Sequence, residues 1–331
     1  MPQNMDKYID RFPQQLLEAV EIGLKVQSFS FGREIKHIVV SGMGGSGIGG
    51  LLVKDVLKHT LAIPFEVSND YQLPSSCNQH TLVICSSYSG NTEETISSLQ
   101  DALRKGCMIA CVTTGGKLLE LAKSNLLPVI IIPGGMPPRT CLGYSTVAQL
   151  FVLKNAGLID EEFIAAIKST AAMLSAQKHE IQLTAKIIAD RFQNTIPLIY
   201  SDVAIYSVAL RWKQQINENA KMACFANVLP EMNHNELVAF HEADQRIGVI
   251  YLRHKHEHPQ IAKRFELTAE LIQEKICCNT NVAATSTSTL ENIFYLIHVG
   301  DWVSLYLSQL KGVDPIKIDM LDWLKTALEK K

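Results

Sequence analysis

Charge is scarce in this 331-residue sequence: Asp, Glu, Lys and Arg make up 19% of it, against 47% for apolar residues. That balance excludes an intrinsically disordered chain and supplies apolar material for a large core. The 31 Lys and Arg nearly cancel the 33 Asp and Glu, leaving a formal net charge of -2. No long basic run is present, which argues against nucleic acid as the main partner. Long hydrophobic runs are missing as well. Segments 126–133 and 204–210 fall well short of the ~20 apolar residues that a membrane-spanning helix needs, so no membrane partner is expected. The first residues, MPQNMDKYIDRF, lack the basic start and apolar stretch of a secretory signal, and a cytoplasmic protein is expected. Eight cysteines occur, but no Cys-x-x-Cys, and the spacing of Cys107 and Cys111 fits no zinc pattern. Reduced, buried thiols acting as small hydrophobes are the expectation. Neither a short-period repeat nor a low-complexity tract is found.

What the sequence does contain is an alternation of short apolar strands with helices. The spacing of Ile9, Phe12, Leu16, Leu17, Val20, Ile22 and Leu24 predicts one helix over about 5–29. Strands are predicted at 37–41, 65–68, 81–86, 107–113 and 128–132. A glycine loop at 42–50 leads to a helix ending near 58, and further helices are predicted from 92 to 104 and at 117–124. Segment 160–193 reads as one or two connecting helices. A second series follows, with strands at 196–200, 247–252 and 282–284 and helices at 204–218, 259–275, 290–310 and 319–330. Strands bounded by helices in this way predict parallel sheets covered on both faces. The expected fold is therefore α/β, with two related lobes, each a mainly parallel sheet flanked by helices. Residues 1–156 form the N-terminal lobe, and 157–331 supply linking helices and the C-terminal lobe.

Two loops carry chemistry. Ser41-Gly-Met-Gly-Gly-Ser-Gly-Ile-Gly-Gly50 follows a strand and opens a helix, so its backbone N–H groups and the helix dipole can meet an anion. Gly42, Gly44 and Gly47 satisfy G-x-G-x-x-G, with Glu66 or Asp70 about 20 residues further on, which admits a dinucleotide reading. The second loop, Ser86-Ser-Tyr-Ser-Gly-Asn-Thr-Glu-Glu-Thr95, adds hydroxyls from Ser87, Ser89 and Thr92. A terminal phosphate needs several short donors around three oxygens, whereas a pyrophosphate needs no such cluster.

Gly44-Gly-Ser-Gly47 and Ser87-Tyr-Ser-Gly-Asn-Thr92 resemble the phosphate-binding loops of sugar isomerase (SIS) domains. The resemblance extends to Pro137-Pro-Arg-Thr140, Arg211-Trp-Lys-Gln-Gln-Ile-Asn-Glu-Asn-Ala-Lys221, Glu231-Met-Asn-His-Asn-Glu236 and Lys311-Gly-Val-Asp-Pro315. Together these motifs look like the bifunctional phosphoglucose/phosphomannose isomerases of archaea and bacteria, from about residue 10 to 331. The second lobe has no glycine–serine loop of its own, and the resemblance implies that it supplies catalytic groups instead.

The resemblance implies interconversion of glucose 6-phosphate and mannose 6-phosphate with fructose 6-phosphate through an enediol, without cofactor or metal. Such a reaction needs a carboxylate base, an acid/base pair to open the ring and a cation near the developing oxyanion. On this pattern Ser46, Ser87, Ser89 and Thr92, with the N–H groups of Gly45 and Gly47, hold the phosphate. Glu218 shuttles the proton. His234 opens the ring from across a homodimer interface, joined by Lys311, and Arg139 steadies the enediolate. Ser304, two turns before Lys311 on the same helix, leaves space for either epimer. The residues by themselves also allow plainer readings: Glu218 as a solvated helix-end carboxylate and Lys311 as a cation on a helix dipole. The asparagines on both sides of His234 suggest an imidazole held by polar contacts in a loop. His254, His256 and His258 alternate as metal ligands on a strand would, but Arg253, Lys255 and Pro259 suggest a polar loop. The alternatives in other classes are a non-catalytic phosphosugar sensor and a dinucleotide-dependent oxidoreductase.

Overall fold

Proline divides the first predicted helix. α1 (Met5–Asp10) stops and α2 (Phe12–Lys25) starts afresh with Pro13 in its first turn. A proline has no N–H to donate and its ring would strike the carbonyl four residues back, so it is tolerated only where a helix begins. The computed structural model describes residues 5–329. After α2 come β1 (His37–Ser41), α3 (Gly44–Leu57), β2 (Phe65–Ser68), β3 (Thr81–Ser87), α4 (Glu93–Arg104), β4 (Met108–Thr113), α5 (Gly116–Ser124) and β5 (Val129–Ile131). A 3-10 turn at Pro138–Thr140, α6 (Leu142–Asn155) and α7 (Glu162–Ala176) complete the first unit, Arg11–Ala176, to which Ser286–Phe294 also belong.

Its five strands lie in the order β2-β1-β3-β4-β5, all parallel. Successive strand residues point to opposite faces. Val39, Val83, Cys85, Ile109 and Cys111 pack with Leu99 and Ala102 of α4 and Leu118 and Ala122 of α5. Both faces are covered, which is why these strands read as unbroken apolar runs. The predicted loop at 42–50 is mostly helix, because α3 already begins at Gly44. Its glycines allow the helix to lie hard against the sheet: a Cβ at Gly50 would stand 2.8 Å from Val40 Cγ1. Tertiary packing here overrides the poor helix propensity of glycine.

The second unit comprises α1, Gln177–Thr285 and the chain from Tyr295 onward. It holds α8 (Lys178–Phe192), β6 (Ile196–Asp202), α9 (Tyr206–Ala220), β7 (Phe225–Leu229), β8 (Asp244–His254), α10 (Pro259–Ile272), β9 (Ile276–Ala284), most of α11 (Thr289–Leu310) and α12 (Asp319–Glu329). Lys330, included in the last predicted helix, lies outside the described residues. The four strands are again parallel, in the order β7-β6-β8-β9. β7 is absent from the sequence-based prediction. It is a short, half-exposed edge strand whose apolar residues are interrupted by Asn227. Two 3-10 turns, Glu231–His234 and Glu236–His241, connect it to β8. They share one face of the sheet with α10, where Met232, Phe240 and Phe265 pack on Tyr200, Val249 and Tyr251. A right-handed crossover from β6 to its parallel neighbour β7 puts α9 on the opposite face. Among the described residues no helix is long and apolar enough to cross a membrane. All eight cysteines are free; seven are buried, and Cys277 on edge strand β9 is exposed.

Candidate active site

In the first sheet the chain leaves β1 towards β2 on one side and returns to β3 on the other. The order therefore reverses between the carboxyl ends of β1 and β3, where open α/β sheets bind ligands. Both candidate loops start there. Gly45, Ser46 and Gly47 occupy the first turn of α3. The N–H groups of Ser46 and Gly47 both donate to the Met43 carbonyl, at 3.0 and 3.2 Å, so the Gly47 N–H is already committed within the chain. Gly47 has a steric role instead: a Cβ would stand 2.6 Å from the Gly42 carbonyl oxygen and 2.7 Å from Asn69 Nδ2. The Ser46 side chain makes no hydrogen bond among the described residues, and the earlier first-turn amides face outward with the positive end of the helix.

The second loop is pre-assembled. Ser87 Oγ and Thr92 Oγ1 share a hydrogen bond of 2.7 Å, and the Gly90 N–H donates to Ser87 Oγ at 3.1 Å. Ser89 Oγ accepts from the Asn91 N–H at 3.2 Å. One proton of the Ser87–Thr92 pair and the Ser89 proton are left over for a ligand. Two glycines fix the loop's path. Gly90 has φ +70°, and a Cβ there would stand 1.8 Å from the Gly115 carbonyl oxygen. At Gly116, φ +66°, a Cβ would stand 2.6 Å from the Ser89 carbonyl oxygen and 2.7 Å from Asn91 Oδ1. Asn91 Oδ1 in turn accepts from the Lys117 N–H at 3.0 Å.

Residues not singled out by sequence tie these loops together. Gln149 Nε2 reaches both the Ser46 carbonyl and Ser86 Oγ, at 3.4 Å each. The signal was a glutamine inside the apolar run 147–153 of α6, where it is fully buried. The 3-10 turn bearing Arg139 lies against α3, with the Arg139 Cα 3.9 Å from a Cβ position on Gly45. Gln15 of α2 anchors that turn by donating to the Thr140 carbonyl at 2.8 Å. Arg139 itself is buried. Glu66, a ribose ligand on the dinucleotide reading, is instead bonded to His37 Nε2 at 3.0 Å.

In the second unit α9 and α11 run side by side and share a buried polar ladder. Asp301 accepts from Arg211 Nε at 3.1 Å and from Gln215 Nε2 at 2.9 Å. Burial pushes the Asp301 carboxyl up from its ordinary range, opposed by Arg211 and Gln215. One turn on, Asn219 Nδ2 donates to Ser304 Oγ at 2.9 Å, and Ser304 donates to the Asp301 carbonyl at 2.7 Å. Ser304 is thus fully buried with its hydroxyl engaged. Trp212 packs against Gly300, where a Cβ would stand 2.5 Å away, so the helices approach closely. The ladder brings the ends of both helices together. Glu218, half-buried, lies in the last turn of α9, and Lys311, exposed, follows the last turn of α11. Lys221 and Lys311 line one cavity of about 420 Å³ with Met222, Gln193 and Arg246.

His234 lies elsewhere in this unit. It ends the first 3-10 turn after β7, on the α10 face, whereas Glu218 and Lys311 belong to the α9–α11 face. The flanking asparagines do not hold its imidazole. Asn233 donates to Thr268 Oγ1 at 2.9 Å and Asn235 to Glu231 Oε1 at 2.8 Å. His234 is exposed, and its side chain has no hydrogen-bond partner among the described residues. What fixes its segment is Glu236, which accepts from Tyr200 and Asn227, both at 2.5 Å. Burial and the Glu236 carboxylate hold the Tyr200 hydroxyl protonated, far above its usual range. The histidine stretch divides too: His254 bonds Asp202 at 2.9 Å, and His258 caps α10 through the Gln260 N–H. Among the described residues no three His, Cys, Asp or Glu side chains are arranged to hold a metal.

Two family models match the chain: the SIS domain over residues 33–156 and the bacterial phospho-glucose isomerase C-terminal SIS domain over 181–328. The bifunctional phosphoglucose/phosphomannose isomerase of Caldicellulosiruptor bescii is 37% identical over 98% of both chains. That of Aquifex aeolicus is 35% identical over 89% of this chain and 91% of its own. The solved C-terminal domain of glucosamine-fructose-6-phosphate aminotransferase from Francisella tularensis superposes with a TM-score of 0.74 at 14% identity. That match covers 95% of this chain and 98% of the other, and shows a shared fold. With a glycine loop and a Ser/Thr loop at the switch point of one sheet and the Asn-Glu-Asn-Ala-Lys and Asn-His-Asn-Glu segments in the other, the chain belongs to the bifunctional phosphoglucose/phosphomannose isomerase family.

Proposed function

We propose that this protein interconverts glucose 6-phosphate and mannose 6-phosphate with fructose 6-phosphate. The observation that carries this reading is the second loop. It keeps two hydroxyl protons for a ligand beside the first-turn amides of α3, as a terminal phosphate requires. Ser46, Ser87, Ser89, Thr92 and the Gly45 N–H hold that phosphate, and Gly47 lets the first loop close against Gly42 and Asn69. His234 and Lys311 open the sugar ring. Glu218 takes the C2 proton of the open aldose as electrons move into a C1–C2 enediolate, then returns it to C1 to give the ketose. The Arg139 guanidinium steadies the negative charge on the enediolate oxygen. For mannose 6-phosphate, rotation about C2–C3 presents the opposite C2 proton to the same base. Ser304, a small residue bonded to Asn219, leaves space for either epimer. The steps as written require no cofactor or metal.

The assembly belonging to this reading is a cytoplasmic homodimer. The 1–156 lobe binds phosphate, and the 157–331 lobe supplies Glu218, His234 and Lys311. His234 lies on one face of the second sheet, and Glu218 and Lys311 on the other. That separation supports His234 acting in the site of a second copy.

A coupled assay with either aldose phosphate and no added metal tests the reading. Fructose 6-phosphate should form from both, and Glu218→Gln should abolish turnover while leaving phosphosugar binding by calorimetry nearly intact. Unchanged turnover in that variant would remove Glu218 from its role. Binding without turnover by the native protein would favour a sensor.

A further inference from the structure

Both helices that bear catalytic groups in the second unit end on a residue in the left-handed region, but they do so differently. α11 ends in the usual way. Gly312, at φ +64°, donates to the Gln309 carbonyl at 3.1 Å, and Val313 donates to the Ser308 carbonyl at 3.0 Å. α9 ends on Lys221, at φ +54°, where a Cβ crowds the backbone and glycine is the residue of least strain. Something must compensate for placing a lysine there. Its ammonium donates to three carbonyls: Glu218 at 2.8 Å, Asn219 at 3.4 Å and Asp314 at 2.6 Å. The first two belong to the last turn of α9. The third belongs to the Lys311-Gly-Val-Asp-Pro315 loop.

We propose that Lys221 is a positioning residue for the isomerase reaction: its ammonium clamps the helix turn bearing Glu218 to the loop that follows Lys311, setting base and cation relative to each other. This rests on the reading that gives Glu218 and Lys311 their catalytic roles. A cap that served only to end α9 would be filled better by glycine. The left-handed cap and the three-carbonyl clamp therefore separate by substitution: Lys221→Gly keeps the first, improves its strain and removes the second. Asn227 and Glu236, by contrast, hold the His234 segment on the other face and are untouched by it.

The experiment compares Lys221→Gly, Lys221→Asn and Lys221→Arg with the native enzyme and with Glu218→Gln, on glucose 6-phosphate. Both the Gly and Asn variants should melt within a few degrees of the native protein, because both residues tolerate this backbone conformation. Their kcat should fall about 10–100-fold, as misplacement of a base by about 1 Å would cause, with KM changed less than about 3-fold. Lys221→Arg, which keeps a cation able to reach carbonyls, should recover most of kcat. Native kcat in either the Gly or the Asn variant overturns the proposal, as does a loss that appears in KM alone. If Glu218→Gln turns over normally, the catalytic reading has failed instead, and the two failures are told apart by that variant.

Discussion

At the scale of single residues, the proposed phosphate loop is a matter of counting protons. Ser87, Ser89 and Thr92 carry three hydroxyl protons, and the Ser87–Thr92 hydrogen bond consumes one. The double change Ser87→Ala/Ser89→Ala removes two of the three hydroxyls, leaving the Thr92 proton as the one charge-assisted donor where two were available, and deprives the Asn91 N–H of its Ser89 acceptor while the Gly90 N–H keeps the Ser87 carbonyl. Phosphosugar binding should weaken by about 1–3 kcal/mol, measured by calorimetry, with kcat at saturating substrate changed far less. An unaltered Kd would show that the anion binds elsewhere. These hydroxyls were legible in the sequence as a Ser/Thr cluster between a predicted strand and a predicted helix. The role of Gly47 was not. Its N–H was free on the sequence reading, and only the fold shows it bonded to Met43.

At the scale of elements, the pairing of α9 with α11 decides where Glu218 sits. Arg211 and Asp301 are both nearly inaccessible to solvent, so the energetics of the pair are those of buried charge. Asp301→Ala leaves a guanidinium buried without its main counter-charge and should cost about 3–5 kcal/mol of stability, read from urea unfolding. Arg211→Met/Asp301→Leu, which removes both charges, should recover most of that loss, and failure to recover it would mean the ladder is needed for the fold itself. The sequence showed each helix but not their association. Arg211, Gln215 and Asn219 recur at a spacing of four, on one face of α9. Nothing local says that α11, more than 80 positions away, supplies Asp301 and Ser304 to that face. For the same reason the short β7 went unread: an edge strand gains its identity from the neighbour it pairs with.

At the scale of the whole molecule, the proposed dimer makes a prediction that no single chain can satisfy alone. Glu218→Gln and His234→Ala proteins should each be inactive. Unfolded together and refolded as a mixture, half of the dimers would be hybrids, and each hybrid would hold one complete site built from native Glu218 of one copy and native His234 of the other. Activity should return to about a quarter of the native value. No recovery, with hybrid dimers shown to form, would place both groups of each site in the same chain. The sequence alone determined the chemistry available and the fold class, because motif residues, apolar strands and helix periods are local properties of the chain. Which groups share a site was decided by tertiary structure. The order β7-β6-β8-β9 and the hand of its crossovers put α9 and the His234 turn on opposite faces of one sheet, and strand order depends on pairings between segments far apart in the chain.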